Sequence, residues 1–203
     1  MTIKLGILAS TNATDMQAII DEIHNGTLDV VISVVIANKE CGALEKAKKN
    51  GLKAVLIESK DYKERENYDK EVAKELDKND VELILLIGYM RFLSKWFVDR
   101  YKNRIMNIHP SLLPAFAGGM DLNVHEEVLK HGVKITGATL HFVDEGADTG
   151  PIILQKAVAI AEDETAETLK EKVQKAEQEI IVEALRLSQE KRLHIEGRIV
   201  HVR

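Results

Sequence analysis

The sequence predicts an α/β fold with a mostly parallel central sheet flanked by helices, and two observations carry that expectation. Four short β-branched or leucine-rich runs, Ile3 to Ala9, Val30 to Ala37, Ala54 to Ile57 and Leu83 to Ile87, lack the polar alternation of half-exposed strands and read as strands buried on both faces. Helical stretches, Met16 to Asn25, Ala43 to Asn50 and Tyr62 to Asn79, separate them. The first half therefore reads βαβαβαβ with right-handed crossovers, a Rossmann-like winding.

One domain suffices for 203 residues, since no tract is rich enough in Pro, Gly or Ser to act as a linker and no internal repeat is visible. Charged residues make up 30%, hydrophobic ones 45%, and the net charge is -5, a balance with no general footprint for nucleic acid or membrane. Small molecules are the expected partners. The single cysteine, Cys41, cannot form an intrachain disulfide, and no basic region followed by a long apolar one opens the chain, so a reducing cytoplasm is expected.

The first crossover opens with Ser10-Thr11-Asn12-Ala13-Thr14-Asp15-Met16-Gln17, a loop and helix N-terminus just past a strand, where α/β proteins bind anions such as phosphate. Thr14 with Gln17 also reads as a capping box that needs no ligand. Most charges of Tyr62 to Asn79 read as a solvated face. Gly88-Tyr89-Met90-Arg91-Phe92-Leu93 leaves the fourth strand at a sheet edge, where unpaired backbone groups can bond a planar heterocycle; a core role for Met90, Phe92 and Leu93 is the plainer alternative.

Arg104 to Ile108 reads as a strand entering a proline loop, and residues two apart on a strand share a face, so Asn107 and His109 project together. Pro110 ends the strand and leaves His109 at its carboxyl edge, the ligand-binding edge of open α/β sheets. Ala115 to Gly132 carries Gly118-Gly119 and then a helix, Asn123 to His131, whose His125 and His131 are expected on a solvated face. Lys134 to Phe142 is a further strand. His141 on it reads as a satisfied core or rim histidine, with a reserve proton group as the alternative.

The turn-rich Asp144 to Gly150 precedes the apolar Pro151 to Ala159 and places Asp148 beside a strand end, where a carboxylate favours a nearby imidazolium and suits it to proton transfer. Spacing alone favours a plainer reading, in which Asn107 caps a turn, His109 bonds backbone, and Asp148 forms an Asx-turn with Thr149 or Gly150. From Thr165 to Glu190, Leu169, Val173, Ala176, Ile180, Ala184 and Leu187 recur at steps of three and four and mark a long amphipathic helix; Gln174 and Glu177 share another stripe. Leu193 to Val202, with Glu196-Gly197 at its middle, predicts a terminal hairpin. With no H-x-H and no Cys/His cluster, no metal is expected.

The run NIHPSLLPAF from Asn107 to Phe116, followed by GATLHFVDEGADTGPIILQ from Gly137 to Gln155, resembles the glycinamide ribonucleotide transformylases, folate-dependent formyltransferases of purine biosynthesis. The resemblance extends over nearly the whole chain. It implies the Rossmann-like formyltransferase fold in a single domain, 1–203, with a nucleotide-binding-like half, 1–100, and a catalytic and folate-binding half, 101–203. It makes Asn107, His109 and Asp148 the catalytic trio. Arg65, Met90, Arg91, Phe92, Leu93, Asn107 and the loop Asp144, Glu145, Gly146, Ala147 and Asp148 would hold the co-substrate 10-formyltetrahydrofolate. Ala13, Thr14 and Asp15 would hold the phosphate of glycinamide ribonucleotide, and Gln174 and Glu177 its glycinamide end.

The phosphate loop departs from the family's G-x-G-S-N: Thr11 and Ala13 replace the glycines, and Thr14-Asp15 replace Ser-Asn. Ala13 restricts positive φ, and Asp15 sets a carboxylate where phosphate would gain from the helix dipole, so weaker phosphate affinity is expected. The implied reaction is direct attack of the amine on the formyl carbon, with Asn107 donating to the oxyanion and His109, tuned by Asp148, passing the proton. Cys41 has no local histidine to make it a nucleophile. Other readings are a 10-formyltetrahydrofolate hydrolase, against which the start of the chain at its first strand speaks, a formyltransferase for another amine, and a non-catalytic folate-binding module. A monomer or homodimer is expected.

Overall fold

The computed structural model describes residues 2–118 and 124–203. The parallel part of its sheet is built from β1 (Ile3–Ala9), β2 (Val30–Ala37), β3 (Ala54–Leu56), β4 (Leu83–Ile87) and β5 (Ile105–His109). The second half adds β6 (Ile135–Phe142), antiparallel to both β5 and β7 (Ile152–Ala159), and the antiparallel hairpin β8 (Leu193–Glu196) and β9 (Ile199–Val202), whose β9 pairs with β7 in parallel. The sheet order is β3-β2-β1-β4-β5-β6-β7-β9-β8. Strand order reverses direction next to β1, between β2 and β4, and this switch point opens a crevice at the carboxyl edge where ligands bind open sheets.

Both faces are covered. On one lie α1 (Met16–His24), α2 (Gly42–Lys49), α5 (Val124–Lys130) and the 24-residue α6 (Ala166–Gln189); on the other lie α3 (Arg65–Lys78) and α4 (Lys95–Arg100). The period of two divides β1 between them: Leu5, Ile7 and Ala9 join the core under α1 and α6, and Leu8 joins the core under α3. The expected apolar stripe of α6, from Leu169 to Leu187, is buried throughout. Thr165 and Thr168 close a reciprocal capping box at its start, which fixes where α6 begins.

Two boundaries and one helix differ from the sequence reading. The stretch from Tyr62 is extended at Glu64, and α3 starts only at Arg65, after a 3-10 turn at Ser59–Asp61, because Tyr62 packs edge-on against Tyr68 instead of continuing the helix. The third strand stops at Leu56. α4 has no counterpart in that reading, since six residues are too few to show a period; the Ser94 hydroxyl caps it by accepting from the Phe97 amide. The expected helix after Gly118-Gly119 is present from Val124, while Gly119 and Asn123 lie outside the described residues.

Candidate active site

Pro110 stops β5 as expected, so His109 is its last residue, and Asn107, two residues earlier, shares its face. Asp148 comes to both from the loop between β6 and β7. His109 Nδ1 lies 3.4 Å from Asp148 Oδ2, and Asn107 Nδ2 lies 3.3 Å from Asp148 Oδ1. The Asx-type turn belongs to Asp144, whose Oδ1 accepts from the Gly146 amide and the Thr149 hydroxyl; Asp148 is left free to face the ring, at φ 53°.

His109 Nε2 is 3.1 Å from the Phe116 carbonyl and Nδ1 faces Asp148, both acceptors, so the single proton of the neutral ring serves only one of them; with that proton on Nε2, Nδ1 is the atom open to another. Burial lowers the His109 pKa and outweighs the opposing pull of the Asp148 carboxylate and the Phe116 carbonyl. Burial pushes the Asp148 carboxyl up, but the contact with His141, the charge of His109 and the Gly118 amide together hold it below the ordinary carboxylate range. The resting pair is a neutral imidazole beside a carboxylate, and a proton arriving at Nδ1 would make it an ion pair.

His141 completes the cluster. Antiparallel pairing sets it opposite Asn107, its Nδ1 donates to the Phe142 carbonyl at 2.8 Å, and its Nε2 therefore accepts from Asn107 Nδ2 at 3.1 Å. Its Nε2 is also 3.5 Å from Asp148 Oδ1, a contact that becomes a hydrogen bond only when the ring takes a second proton. It is a satisfied core histidine, as read, but its partner is the central asparagine. Both N–H groups of Asn107 are thereby occupied, against the expectation of an amide waiting for an oxyanion.

A cavity of about 600 Å³ opens over this cluster and is lined by every residue the sequence reading assigned to a ligand. The lining takes in Ala13, Thr14 and Asp15, with Gln174 and Glu177 of α6; Arg65 and the run Met90, Arg91, Phe92 and Leu93; the loop Asp144, Glu145, Gly146 and Ala147; and the trio Asn107, His109 and Asp148. Both halves of the chain contribute. Lys170 also lines the cavity, and its spacing of four and seven residues before Gln174 and Glu177 is a signal that could have found it.

Ala13 adopts φ 42°, the left-handed conformation that glycine takes readily. No described residue accepts from the backbone amides of Asn12, Ala13 or Thr14, which leaves them open beside the helix N-terminus. The capping box is absent: Asp15 is the residue before α1, its side chain makes no cap bond, Thr14 meets Gln17 only backbone to backbone, and the Gln17 side chain turns to Asp21. Glu177 is buried, and burial first, then the charge of Asp15, pushes its carboxyl well above the usual range.

In the run after β4, the Met90 amide is taken by the Ser10 hydroxyl at 2.9 Å, contrary to a wholly unpaired edge, while the amides of Arg91, Phe92 and Leu93 have no acceptor among the described residues. Phe92 is 46% exposed and plays no core role. The Arg91 guanidinium lies 4.6 Å over the Tyr68 ring. Gly88, at φ 56°, ties this run to the loop before α1: its carbonyl accepts from the Ser10 amide, and a Cβ there would meet Thr11 Oγ1 at 2.2 Å. His125 is a correction, for it lines the cavity with Nδ1 buried and without a partner among the described residues, and burial first, then Lys170, lowers its pKa; His131 is exposed as expected.

Residues 3–185 match the family described as formyl transferase. The chain is 41% identical over 202 residues to the trifunctional purine biosynthetic protein adenosine-3 of Bos taurus, covering 98% of this chain and 20% of that protein. It thus spans about a fifth of that relative's length. Phosphoribosylglycinamide formyltransferase of Bacillus subtilis is 35% identical over 175 residues, covering 86% of this chain and 88% of the relative. The crystal structure of glycinamide ribonucleotide transformylase 1 from Symbiobacterium toebii has a TM-score of 0.94 at 41% identity, covering 99% of this chain and 94% of that one.

Proposed function

The chain belongs to the formyl transferase family, and we propose that it transfers the formyl group of 10-formyltetrahydrofolate to the amino group of glycinamide ribonucleotide. The observation that carries this reading is the His109, Asp148 and Asn107 cluster in the lining of a cavity that also takes in the loop before α1 and the run after β4. The loop offers open amides at a helix N-terminus, suited to the acceptor's phosphate. The run offers the open amides of Arg91 to Leu93 and the exposed Phe92 ring, which fit the edge and face of a flat heterocycle. A volume of about 600 Å³ accommodates reacting ends held side by side.

The amine attacks the formyl carbon and forms a tetrahedral oxyanion, and the proton it sheds must reach the departing folate nitrogen. His109 receives that proton at Nδ1, where Asp148 stabilises the imidazolium, and returns it to the leaving nitrogen. The developing oxyanion draws on Asn107. Of its two N–H bonds, the 3.3 Å bond to Asp148 is the longer and is the one the oxyanion takes over, while His141 keeps hold of the other. No step is routed through a metal; among the described residues no cluster of metal-ligating side chains occurs. No described helix is long and apolar enough to cross a membrane. We further propose a cytoplasmic location and a monomer or homodimer.

The test is the initial rate of tetrahydrofolate formation with and without glycinamide ribonucleotide. A rate that saturates with the acceptor supports the transferase. A rate indifferent to the acceptor would make the chain a hydrolase.

A further inference from the structure

Asp15 is 5% exposed, lines the cavity just before α1, and its Oδ1 has no hydrogen-bond partner among the described residues. It sits beside the open amides of Asn12, Ala13 and Thr14. The groups facing it are few. α6 presents Gln178 and the buried carboxyl of Glu177, with Lys170 acting on Glu177; α2 presents Lys46; and on α5, His125 faces Lys170. The Lys46 ammonium is already held by the carbonyls of Ala13 at 3.0 Å and Thr14 at 3.4 Å, so it only partly offsets a charge on Asp15.

A phosphate dianion bound to these amides would meet a buried carboxylate at close range, with a second carboxyl behind it. Like charges that cannot both be solvated are resolved by protonating one of them. A protonated carboxyl becomes a hydrogen-bond donor, which an ionised one is not. On the reading that the acceptor carries a phosphate, we propose that Asp15 enters the acceptor complex as the neutral acid and donates a hydrogen bond to that phosphate, so that acceptor binding takes up a proton from solvent.

The free protein is prepared for this: burial, opposed by Gln178, the residue's own amide and Lys46, raises the Asp15 pKa to about 6. Below that value the proton is already present, and above it each pH unit costs about tenfold in affinity through this group. The acceptor's own phosphate and amine titrate in every form of the protein, so Asp15→Asn, which keeps a neutral donor at the same place, isolates the contribution of Asp15.

The test measures glycinamide ribonucleotide binding to the full chain and to Asp15→Asn between pH 7 and 9 by calorimetry. The ratio of wild-type to variant Kd is expected to grow about tenfold per pH unit. Wild-type titrations at pH 8 in buffers of different ionisation enthalpy are expected to show proton uptake with glycinamide ribonucleotide and none with the riboside that lacks the phosphate, an outcome that does not depend on the variant. Equal pH slopes in the two forms, or no phosphate-linked uptake by the wild type, overturn the inference while leaving the acceptor reading intact. Failure of both forms to bind the ribonucleotide at any pH overturns the acceptor reading and this inference with it.

Discussion

Asn107 Nδ2 and His141 Nε2 stand 3.1 Å apart, paired across the antiparallel register of β5 and β6. The backbone carbonyl that takes the Nδ1 proton of His141 also makes its Nε2 an acceptor, so the ring aims one Asn107 N–H and leaves the other for Asp148. His141→Ala removes that aim. Its kcat is expected to fall by up to about 10²-fold, the cost of a misplaced group, with the KM for folate unchanged. Losing a buried partner should also destabilise by about 1–3 kcal/mol, or roughly 2–4 °C in Tm for each kcal/mol. Steady-state kinetics and thermal melts check both, and an unaltered kcat would reduce His141 to a packing residue.

The trio itself gives the second expectation. Asn107→Ala, His109→Ala and Asp148→Asn should each slow transfer by about 10²-fold or more, the scale of an oxyanion donor or an acid-base group. Folate Kd, read by fluorescence titration, should stay near the wild-type value. Near-normal turnover in two of the three variants would sink the assigned roles.

Much of this site was legible before the fold. The period of two put Asn107 and His109 on one face, and the 3.6-residue period put Gln174 and Glu177 on one stripe; both are local geometry that sequence spacing encodes. His141 was visible only as a strand histidine, because antiparallel register is a tertiary property that spacing within one strand does not contain. His125 was assigned to solvent because a single histidine on a seven-residue helix carries no information about which way that helix rolls. Ala13 was expected to restrict positive φ, yet the loop between β1 and α1 holds it at φ 42°. Thr14 and Gln17 matched the capping box in letters, yet Asp15 took the position before the helix.

Glu177 tests the acceptor site. It is buried beside Asp15 on the stripe of Gln174 and Lys170, so Glu177→Ala should weaken glycinamide ribonucleotide binding by more than it weakens folate binding. Calorimetric titrations with each ligand decide it. The opposite ranking would move Glu177 out of the acceptor site.

Stability against pH offers an independent check on Asp15 in the unliganded chain. Its folded pKa of about 6 lies above the ordinary 3.8, so the folded state holds more protons than the unfolded one between those values. Stability linked to Asp15 is therefore full below about pH 4 and is lost as pH rises to about 6, by roughly 1–3 kcal/mol. Asp15→Asn should lack that loss. Urea unfolding at pH 4.5 and 7 should show the variant gaining on the wild type at the higher pH; parallel behaviour would place the Asp15 carboxylate in contact with water.

The fate of the formyl carbon tests the central claim most directly. The full chain is incubated with 10-formyltetrahydrofolate labelled at the formyl carbon, with and without glycinamide ribonucleotide, and label is followed into formylated amine and free formate. The account predicts label on the acceptor's amine when the ribonucleotide is present and no release of formate beyond the uncatalysed background when it is absent. Formate released at the same rate in both cases would contradict it.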